Sequence, residues 1–306
     1  MDKEALVRYS VKCPLYKYMS GILSPRGINM YISLFEGGVI SKEELRMSIE
    51  WCDLCGLCSP LYDYVKGSWK ELLKADQQFR VDVVREGVKQ IVLPRKLYEA
   101  MGISNIIENL IDRLYNFGFE VGLSLFDGLP DIYVKALIYG FRDVRRVFRK
   151  ELLSKGIDDL IILDRYTYHL VGGSIKLITT TPSKLVSDIL TRSEVYPLKT
   201  GVLKVNLLNS TYKFYRRELL ALSRYVRIIP QLHIVLSSDR YGFGFAPLYD
   251  GYDGLFKSYL DVHLPYTAYI ISTIDPFVYV VLRKAVHREY AVSYFPLLVL
   301  NILRMY

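Results

Sequence analysis

Four cysteines supply the thiolates in a chain of 306 residues, and three of them are clustered. Cys52, Cys55 and Cys58 follow one another at C-x2-C-x2-C spacing, and Cys13 stands alone before a proline. Gaps of two residues let successive thiolates turn inward on a tight loop, and Gly56 lets the backbone pass close to a bound group. Such a loop suits the corners of an Fe4S4 cube, whose sulfides the loop amides can hydrogen-bond. The pattern predicts one Fe4S4 cluster bound by Cys13, Cys52, Cys55 and Cys58.

The spacing also indicates that a second cluster has been lost. A two-cluster ferredoxin run reads C-x2-C-x2-C-x3-C-P, and the fourth cysteine of each run binds the other cluster. If Cys13 closes a first run and Cys52 opens a second, one ligand set is complete. The other set would need four positions that all lack cysteine: Lys3, Leu6, Tyr9 and Tyr62. Random loss would rarely empty one site and leave the other whole, so one cluster is predicted to be intact and one deleted.

Structural zinc is the alternative, since C-x2-C pairs are also zinc ligands. Zinc sites usually combine two separated C-x2-C knuckles, whereas here three cysteines share one run with a distant Cys-Pro. The pattern therefore favours Fe4S4 over zinc. A radical-SAM site is disfavoured, because its usual run has a longer first gap and three cysteines, and here a fourth cysteine is available.

Composition limits the class of protein. With 51% hydrophobic residues the chain has enough apolar material for a real core. The longest apolar run, residues 295–303, falls far short of the roughly 20 residues that a membrane helix needs, and the charged first residues do not form a signal peptide. Because all cysteines are assigned to metal, a reducing, cytoplasmic location is expected. The net charge of +8 is compatible with acidic, lipid or nucleic-acid partners, and many Tyr, Lys, Arg and Glu residues suit a thermophilic source.

Two helices are predicted between the parts of the cysteine set. Residues 24–27, Ser-Pro-Arg-Gly, are expected to form a turn, and residues 28–35 carry apolar side chains at helical spacing before Gly37 and Gly38 end the helix. Ser41 and Glu44 form a capping-box pattern that begins a second helix. These helices would bring Cys13 beside the second run, which is an α-helical ferredoxin layout.

The remainder of the chain shows an internal repeat. Strand-like runs at 119–125 and 232–236 lead to Gly128 and Gly242, which are 242 − 128 = 114 residues apart. Helix-like stretches follow at 133–150 and 254–260. Two further apolar strands then end in Asp164 and Asp275, which are 275 − 164 = 111 residues apart and precede aromatic-rich turns. Alternating strands and helices at a near-constant offset predict two duplicated α/β modules.

The order of these motifs resembles one family. Residues 13–16 (Cys-Pro-Leu-Tyr), 24–27 and 52–58 stand as they do in the iron–sulfur subunits of heterodisulfide reductase, glycolate oxidase and anaerobic glycerol-3-phosphate dehydrogenase. In that family two cysteine-rich "CCG" modules follow the ferredoxin region and hold a further metal cluster. The resemblance is strong over residues 13–58 and rests on pattern alone beyond about residue 80.

This chain departs from the family in its second half. The stretches that match the CCG cysteine motifs are 126–128, 208–211, 240–242 and 275–278, and none contains cysteine. Asp, Asn and Tyr do not replace thiolate in iron–sulfur ligation, so these modules are expected to hold no cluster. The fold class implied is α+β and multi-domain. An α-helical ferredoxin-like domain (1–78) precedes two degenerate CCG-like α/β modules (79–190 and 191–306).

Other motifs are less specific. Arg142, Arg145, Arg146 and Arg149 recur at helical spacing, either as a solvated face or as a docking face for an acidic subunit or a lipid headgroup. The four histidines, His169, His233, His263 and His287, show no ligand spacing. The chain has no nucleophile motif, P-loop or dinucleotide-binding fingerprint, and no recognised nucleic-acid-binding module accompanies its charge.

These observations predict an electron-transfer subunit of a larger redox complex, which relays single electrons through one Fe4S4 cluster and has no catalytic activity alone. The expected partners are a flavoprotein or another iron–sulfur protein, and association with the inner face of a membrane would occur through such partners. The alternative is a structural or assembly subunit whose cluster only stabilises the fold.

Overall fold

A computed structural model describes most of the chain. The described residues are 25–50, 52, 67, 70, 79–129, 131–172, 177–191, 195–197, 201–210, 212–227, 229–249, 252–264, 270–286 and 290–305. Within them lie helices and two principal β-sheets, so the predicted α+β class is confirmed at that level.

The first two helices are α1 (Pro25–Glu36) and α2 (Lys42–Ile49). Pro25 is the first residue of α1, where its fixed φ suits a helix and its missing N–H costs nothing. The turn predicted at 24–27 is therefore wrong from Pro25 onward, because these residues form the first helical turn. Gly38, with φ of 69°, ends α1 in the left-handed conformation.

The capping box predicted before α2 is confirmed. The Ser41 side chain accepts the Glu44 N–H at 3.2 Å, and the Glu44 carboxylate accepts the Ser41 N–H at 2.7 Å. These bonds satisfy N–H groups that have no partner within the helix. Ile49, near the end of α2, is fully buried in the main core, so the helix packs firmly against the rest of the protein.

The first principal sheet has five strands. Its elements in chain order are β1 (Val81–Arg85), β2 (Lys89–Pro94), α3 (Arg95–Glu99), α4 (Ile103–Asn116), β3 (Val121–Phe126), α5 (Asp131–Tyr139), α6 (Phe141–Ser154), β4 (Asp159–Ile161), α7 (Arg165–Val171), β5 (Ile178–Thr180) and α8 (Pro182–Leu190). The strand order is β1-β3-β2-β4-β5, with β1 antiparallel and the other neighbours parallel.

The second principal sheet has four parallel strands. After the short β6 (Val195–Pro197) come β7 (Leu203–Ser210), α9 (Lys213–Val226), β8 (Leu232–Tyr241), a 3-10 turn (Ala246–Leu248), α10 (Asp253–His263), β9 (Ile270–Thr273), α11 (Pro276–Ala285), β10 (Ala291–Tyr294), α12 (Phe295–Ile302) and β11 (Leu303–Met305). The order is β8-β7-β9-β10, and all neighbours are parallel.

The two sheets share one connectivity. The parallel strands of the first sheet run β3-β2-β4-β5 and those of the second run β8-β7-β9-β10, so each strand has a counterpart in the same position. Counterpart strands begin 203 − 89 = 114, 232 − 121 = 111, 270 − 159 = 111 and 291 − 178 = 113 residues apart. These offsets are close to the 114 residues that separate Gly128 from Gly242 and the 111 that separate Asp164 from Asp275.

Two further local predictions were wrong. The helix expected at 133–150 is split into α5 and α6, because Gly140 has a φ of 99° and breaks the helical path. The aromatic-rich turns expected after Asp164 and Asp275 are instead the helices α7 and α11, each of which begins at the residue after its aspartate. Each aspartate is therefore a helix N-cap.

The sheets and the two N-terminal helices share one apolar core, and a smaller cluster lies within the second sheet's own layer. The short strands β6 and β11 pair antiparallel, with Tyr196 opposite Arg304. In each half a short strand follows the last helix, so this pairing joins equivalent elements. Among the described helices, none is both long and apolar enough to cross a bilayer.

Candidate metal centre and sheet interface

Cys52 is the one predicted cluster ligand within the described residues; Cys13, Cys55 and Cys58 lie outside them. Cys52 follows α2, donates its backbone N–H to the Ile49 carbonyl at 2.9 Å, and packs half-buried against the main core. Within the described part of the chain, no three His, Cys, Asp or Glu residues are grouped as a metal site. The set of four thiolates fits an iron–sulfur cluster by its donor chemistry.

The residues just before Cys52 fix α2 to the second half of the chain. The Tyr252 hydroxyl lies 2.9 Å from a carboxylate oxygen of Glu50 and 2.7 Å from the Met47 carbonyl. The Phe245 N–H donates to the Glu50 carbonyl at 3.2 Å. Glu50 is only 3% exposed, and its burial raises its pKa, opposed by the Tyr252 hydrogen bond and by the nearby Arg46. The backbone that leads into the C-x2-C-x2-C run is thus anchored two residues upstream.

Arg46 extends this anchor to the first half. Its guanidinium lies 3.4 Å from Glu50 and 4.0 Å from Asp131, which is the first residue of α5. Arg46 also donates to the Tyr249 hydroxyl at 3.4 Å, and Lys96 of α3 sits 4.8 Å from the Tyr249 ring centroid. Burial raises the pKa of Tyr249 to about 12, so it stays a neutral hydroxyl. Helix α2 therefore contacts elements of both sheets.

A second group of polar residues is buried between the sheets. Asp164 accepts the N–H groups of Tyr166 and Thr167, both at 2.9 Å, and also the Thr167 hydroxyl. Its counterpart Asp275 accepts the N–H groups of Phe277 at 2.9 Å and Val278 at 3.4 Å. Both aspartates are fully buried, so equivalent carboxylates cap α7 and α11.

Three further side chains complete this interface cluster, which we define as Asp164, Asp275, Glu218, Tyr215 and Tyr294. Glu218 of α9 accepts the Ser183 N–H at 2.9 Å and so caps α8. The Tyr215 hydroxyl accepts the Arg165 N–H at 3.2 Å. Burial raises the pKa of Asp164 to about 6, and burial with the nearby aspartates raises that of Tyr215. The three carboxylates thus meet the positive ends of three helices, which lowers the cost of burying them.

Aromatic side chains lie between the interface cluster and α2. The Tyr166 and Phe245 rings stack with centroids 4.5 Å apart, and Tyr133 meets the Tyr166 ring edge-on at 4.7 Å. The buried Arg165 guanidinium lies 3.5 Å from the Tyr212 ring centroid and 4.4 Å from that of Tyr166. These contacts fill the interior between the sheets with rings and one cation.

The stretches matched to the CCG motifs have structural roles in the described contacts. Asp127 pairs with Arg95 at 3.0 Å, Leu208 and Tyr241 are buried in the smaller core cluster, and Asp275 caps α11. Carboxylates used as helix caps and ion pairs are not thiolate ligands. The capping role was readable from the Asp275–Pro276 dipeptide, since proline is common at the first helical position after a cap.

The arginines of α6 divide into two pairs. Arg145 donates to the His169 carbonyl at 2.6 Å, and Arg149 donates to the carbonyls of Val171, at 3.0 Å, and Gly172. Cations at the last carbonyls of a helix satisfy its unpaired acceptors and its dipole. Arg142 and Arg146 are exposed. Arg145 and Arg149, two of the four arginines of the predicted docking face, therefore bind the C-terminal end of α7.

The histidines contribute little to a site. Burial, with Arg165 and Arg145 nearby, lowers the pKa of His169 to about 4, so it is neutral at pH 7. His233 is exposed on β8. His287 and the side chain of His263 lie outside the described residues.

Comparison with known proteins adds no assignment: no protein-family model matches the chain, and no curated protein is significantly similar to it.

Proposed function

We propose that this chain is an electron-transfer iron–sulfur subunit of a larger redox complex, similar to the heterodisulfide reductase and glycolate oxidase subunits. Cys13, Cys52, Cys55 and Cys58 would hold one Fe4S4 cluster. The observation that carries the proposal is the complete cysteine set for one cluster beside the complete loss of the other. A cluster of this type takes up and releases one electron at a time.

In this proposal the chain comprises an α-helical ferredoxin-like domain and two degenerate CCG-like modules. The shared strand order of the two sheets supports the duplication. Buried caps and aromatic rings occupy the positions matched to the CCG cysteines. They support the proposed loss of the CCG metal site, since these side chains do not bind iron–sulfur clusters.

The residues around Cys52 would tune and hold the cluster. Glu50, Tyr252 and Arg46 fix the backbone that enters the cysteine run, and half-burial of Cys52 limits water at its sulfur. Burial and hydrogen bonding are the properties by which a protein sets a cluster's potential.

A structural role is the second candidate, and the position of α2 favours it. Arg46 and Glu50 already join α2 to elements of both sheets. An Fe4S4 cluster bound through Cys52 would then stabilise the packing of the N-terminal helices against the sheets. In that case partner contacts would be the whole function and the cluster would not change oxidation state.

Iron analysis and redox titration decide between these functions. Anaerobically purified protein should contain about four irons and four sulfides per chain. Freeze-quench EPR of the native complex with its electron donor should show the cluster reduced during turnover. A cluster that stays oxidised while neighbouring centres turn over would leave the structural role, and one zinc without sulfide would end both proposals.

Cys55→Ala tests the ligand assignment, since it removes one thiolate. It should lose the iron and loosen the N-terminal helices. Ser59→Ala is the matched control, because it removes a hydroxyl next to Cys58 in the sequence that is outside the ligand set. It should retain both the iron and the stability of the N-terminal helices.

A further inference from the structure

The outer face of α9 carries a continuous basic stripe. Its members recur at intervals of four, three, four and three residues, so they lie on one side of the helix. All are exposed, and the apolar one, Leu220, is 62% exposed. We define the α9 stripe as Lys213, Arg217, Leu220, Arg224 and Arg227.

The helix does not neutralise this stripe. Its one acidic residue, Glu218, is 9% exposed and points inward, where it caps α8 through Ser183. Among ion pairs between described residues, none includes Lys213, Arg217 or Arg224. The stripe therefore presents its positive charge to solvent.

The counterpart helix shows that the fold does not need this charge. Helix α4 occupies the same place between the first two parallel strands of its sheet. Its exposed face carries Glu108 and Asp112 with several asparagines, and Tyr115 is 68% exposed. The same structural position is thus acidic in one half and basic in the other.

The stripe begins close to the backbone that precedes Cys52. Tyr212, the residue before α9, accepts the Gly244 N–H at 3.0 Å through its hydroxyl. The next residue, Phe245, donates its N–H to Glu50, two residues before Cys52. The N-terminal end of the stripe is therefore joined to the backbone before Cys52 by two hydrogen bonds, and fourteen residues of helix extend about 21 Å from there.

We propose that the α9 stripe is the docking surface for an acidic protein partner, with Leu220 as its apolar contact. Complementary charge steers association and sets register, and arginine forms paired hydrogen bonds with carboxylates. The inference rests on the proposed function only in identifying this partner as a redox subunit; its acidity follows from the stripe.

A lipid surface suits α9 less well. An interfacial helix inserts its apolar face into the bilayer, but the apolar face of α9 is already used in the core. Phe214, Leu219, Leu222 and Val226 are all at most 8% exposed. Among the large apolar side chains of α9, those left exposed are Leu220 in the stripe and Tyr225 beside it. The cationic stripe matches carboxylates on a folded surface.

Charge reversal tests the proposal. Arg217→Glu/Arg224→Glu changes two stripe residues, and Arg142→Glu/Arg146→Glu reverses two exposed arginines on α6, which gives the same net charge. Binding of poly-L-glutamate would be measured at several salt concentrations. The α9 variant should bind about tenfold more weakly, with a flatter salt dependence, and the α6 variant should change by less than about threefold.

Binding of each variant to phosphatidylserine-containing vesicles, and separately to a DNA duplex, would be measured in parallel. The proposal is overturned if both variants lose poly-glutamate binding equally, or if reversal on α9 affects vesicles or DNA more than poly-glutamate. Iron content of each variant separates the two ideas. A selective α9 effect in protein without a cluster would keep the docking surface and refute the redox role.

Discussion

The two sheets of this protein are alike inside and different outside. Both have parallel strands in the same order, and both place a buried aspartate at the start of the helix after the third parallel strand. Outside, β1 covers the outer edge of β3, whereas no described strand covers the same edge of its counterpart β8. Helices α4 and α9 carry opposite charge. Topology and helix caps are therefore common to the two halves, whereas the sheet edges and the charge of the surface helices differ.

The largest expected effect comes from removing the helix N-caps Asp164 and Asp275. Asp164→Ala and Asp275→Ala should each lower the free energy of unfolding by about 3 kcal/mol, because each leaves two buried N–H groups without an acceptor. Chemical denaturation would measure this. Equal losses would support equivalent roles, whereas a loss at one site alone would show that the halves depend on different caps.

The asparagine variants refine this test, since Asn caps helices nearly as well as Asp. The folded-state pKa of Asp164, about 6, exceeds the usual 3.8, so the folded protein binds a proton between these pH values that the unfolded chain has released. The contribution of Asp164 to the free energy of unfolding should therefore fall by roughly 2 kcal/mol as pH rises from 4 to 6. Buried His169, whose pKa is lowered to about 4, contributes the opposite trend over the same range, so the part due to Asp164 is the difference between the pH profiles of wild type and Asp164→Asn. Asp164→Asn should lack this dependence, and a wild type with the same pH profile as Asp164→Asn would contradict it.

The second test concerns how the capped helices end. Helix α7 relies on Arg145 and Arg149 of a neighbouring helix, whereas α11 has Arg283 and Lys284 in its own last turn. Arg145→Ala and Arg149→Ala should each cost about 1 kcal/mol of unfolding free energy, because carbonyls of α7 lose a charged donor. Arg142→Ala, on the exposed side of the same helix, should change it by less than about 0.5 kcal/mol. Thermal unfolding that ranks the three variants equally would contradict this division.

The smallest effect is expected on the surface of α4. Asn109→Lys/Asp112→Lys places basic residues on the exposed face of α4, as α9 has on its own exposed face, and both positions are exposed. Unfolding free energy should stay within about 0.5 kcal/mol of wild type, since exposed charges contribute little. Calorimetry would check this, and a clear loss of stability would mean that the acidic face of α4 belongs to the fold.

Several features were predictable from local sequence. The capping box at Ser41 and the 111-residue offset of Asp164 and Asp275 were visible because they depend on neighbouring residues and on a repeated pattern. The split at Gly140 was missed, because the helical periodicity continues through it and only the backbone conformation reveals the break.

Long-range partners could not be read from the chain. Arg145 and Arg146 are adjacent in sequence, yet one binds the end of α7 and the other faces solvent. Which side of α6 packs inward depends on α7, which lies beyond β4 in the chain. For the same reason the α9 stripe was not predicted: its arginines resemble any exposed helical charge until Glu218 is seen to turn inward. The cluster assignment to Cys13, Cys52, Cys55 and Cys58 stays a prediction.

The pairing of β6 with β11 bears on the order in which the chain can fold during synthesis. Pro197 and Leu303 are adjacent in this ribbon but 303 − 197 = 106 residues apart in the chain. At typical rates of translation a ribosome needs roughly 5 to 20 s to make that length. The five-stranded sheet can form as soon as its own strands emerge, but β6 has to wait for almost all of the second half. During that interval its backbone donors and acceptors lack their native partner, so this short ribbon is completed only at the end of synthesis.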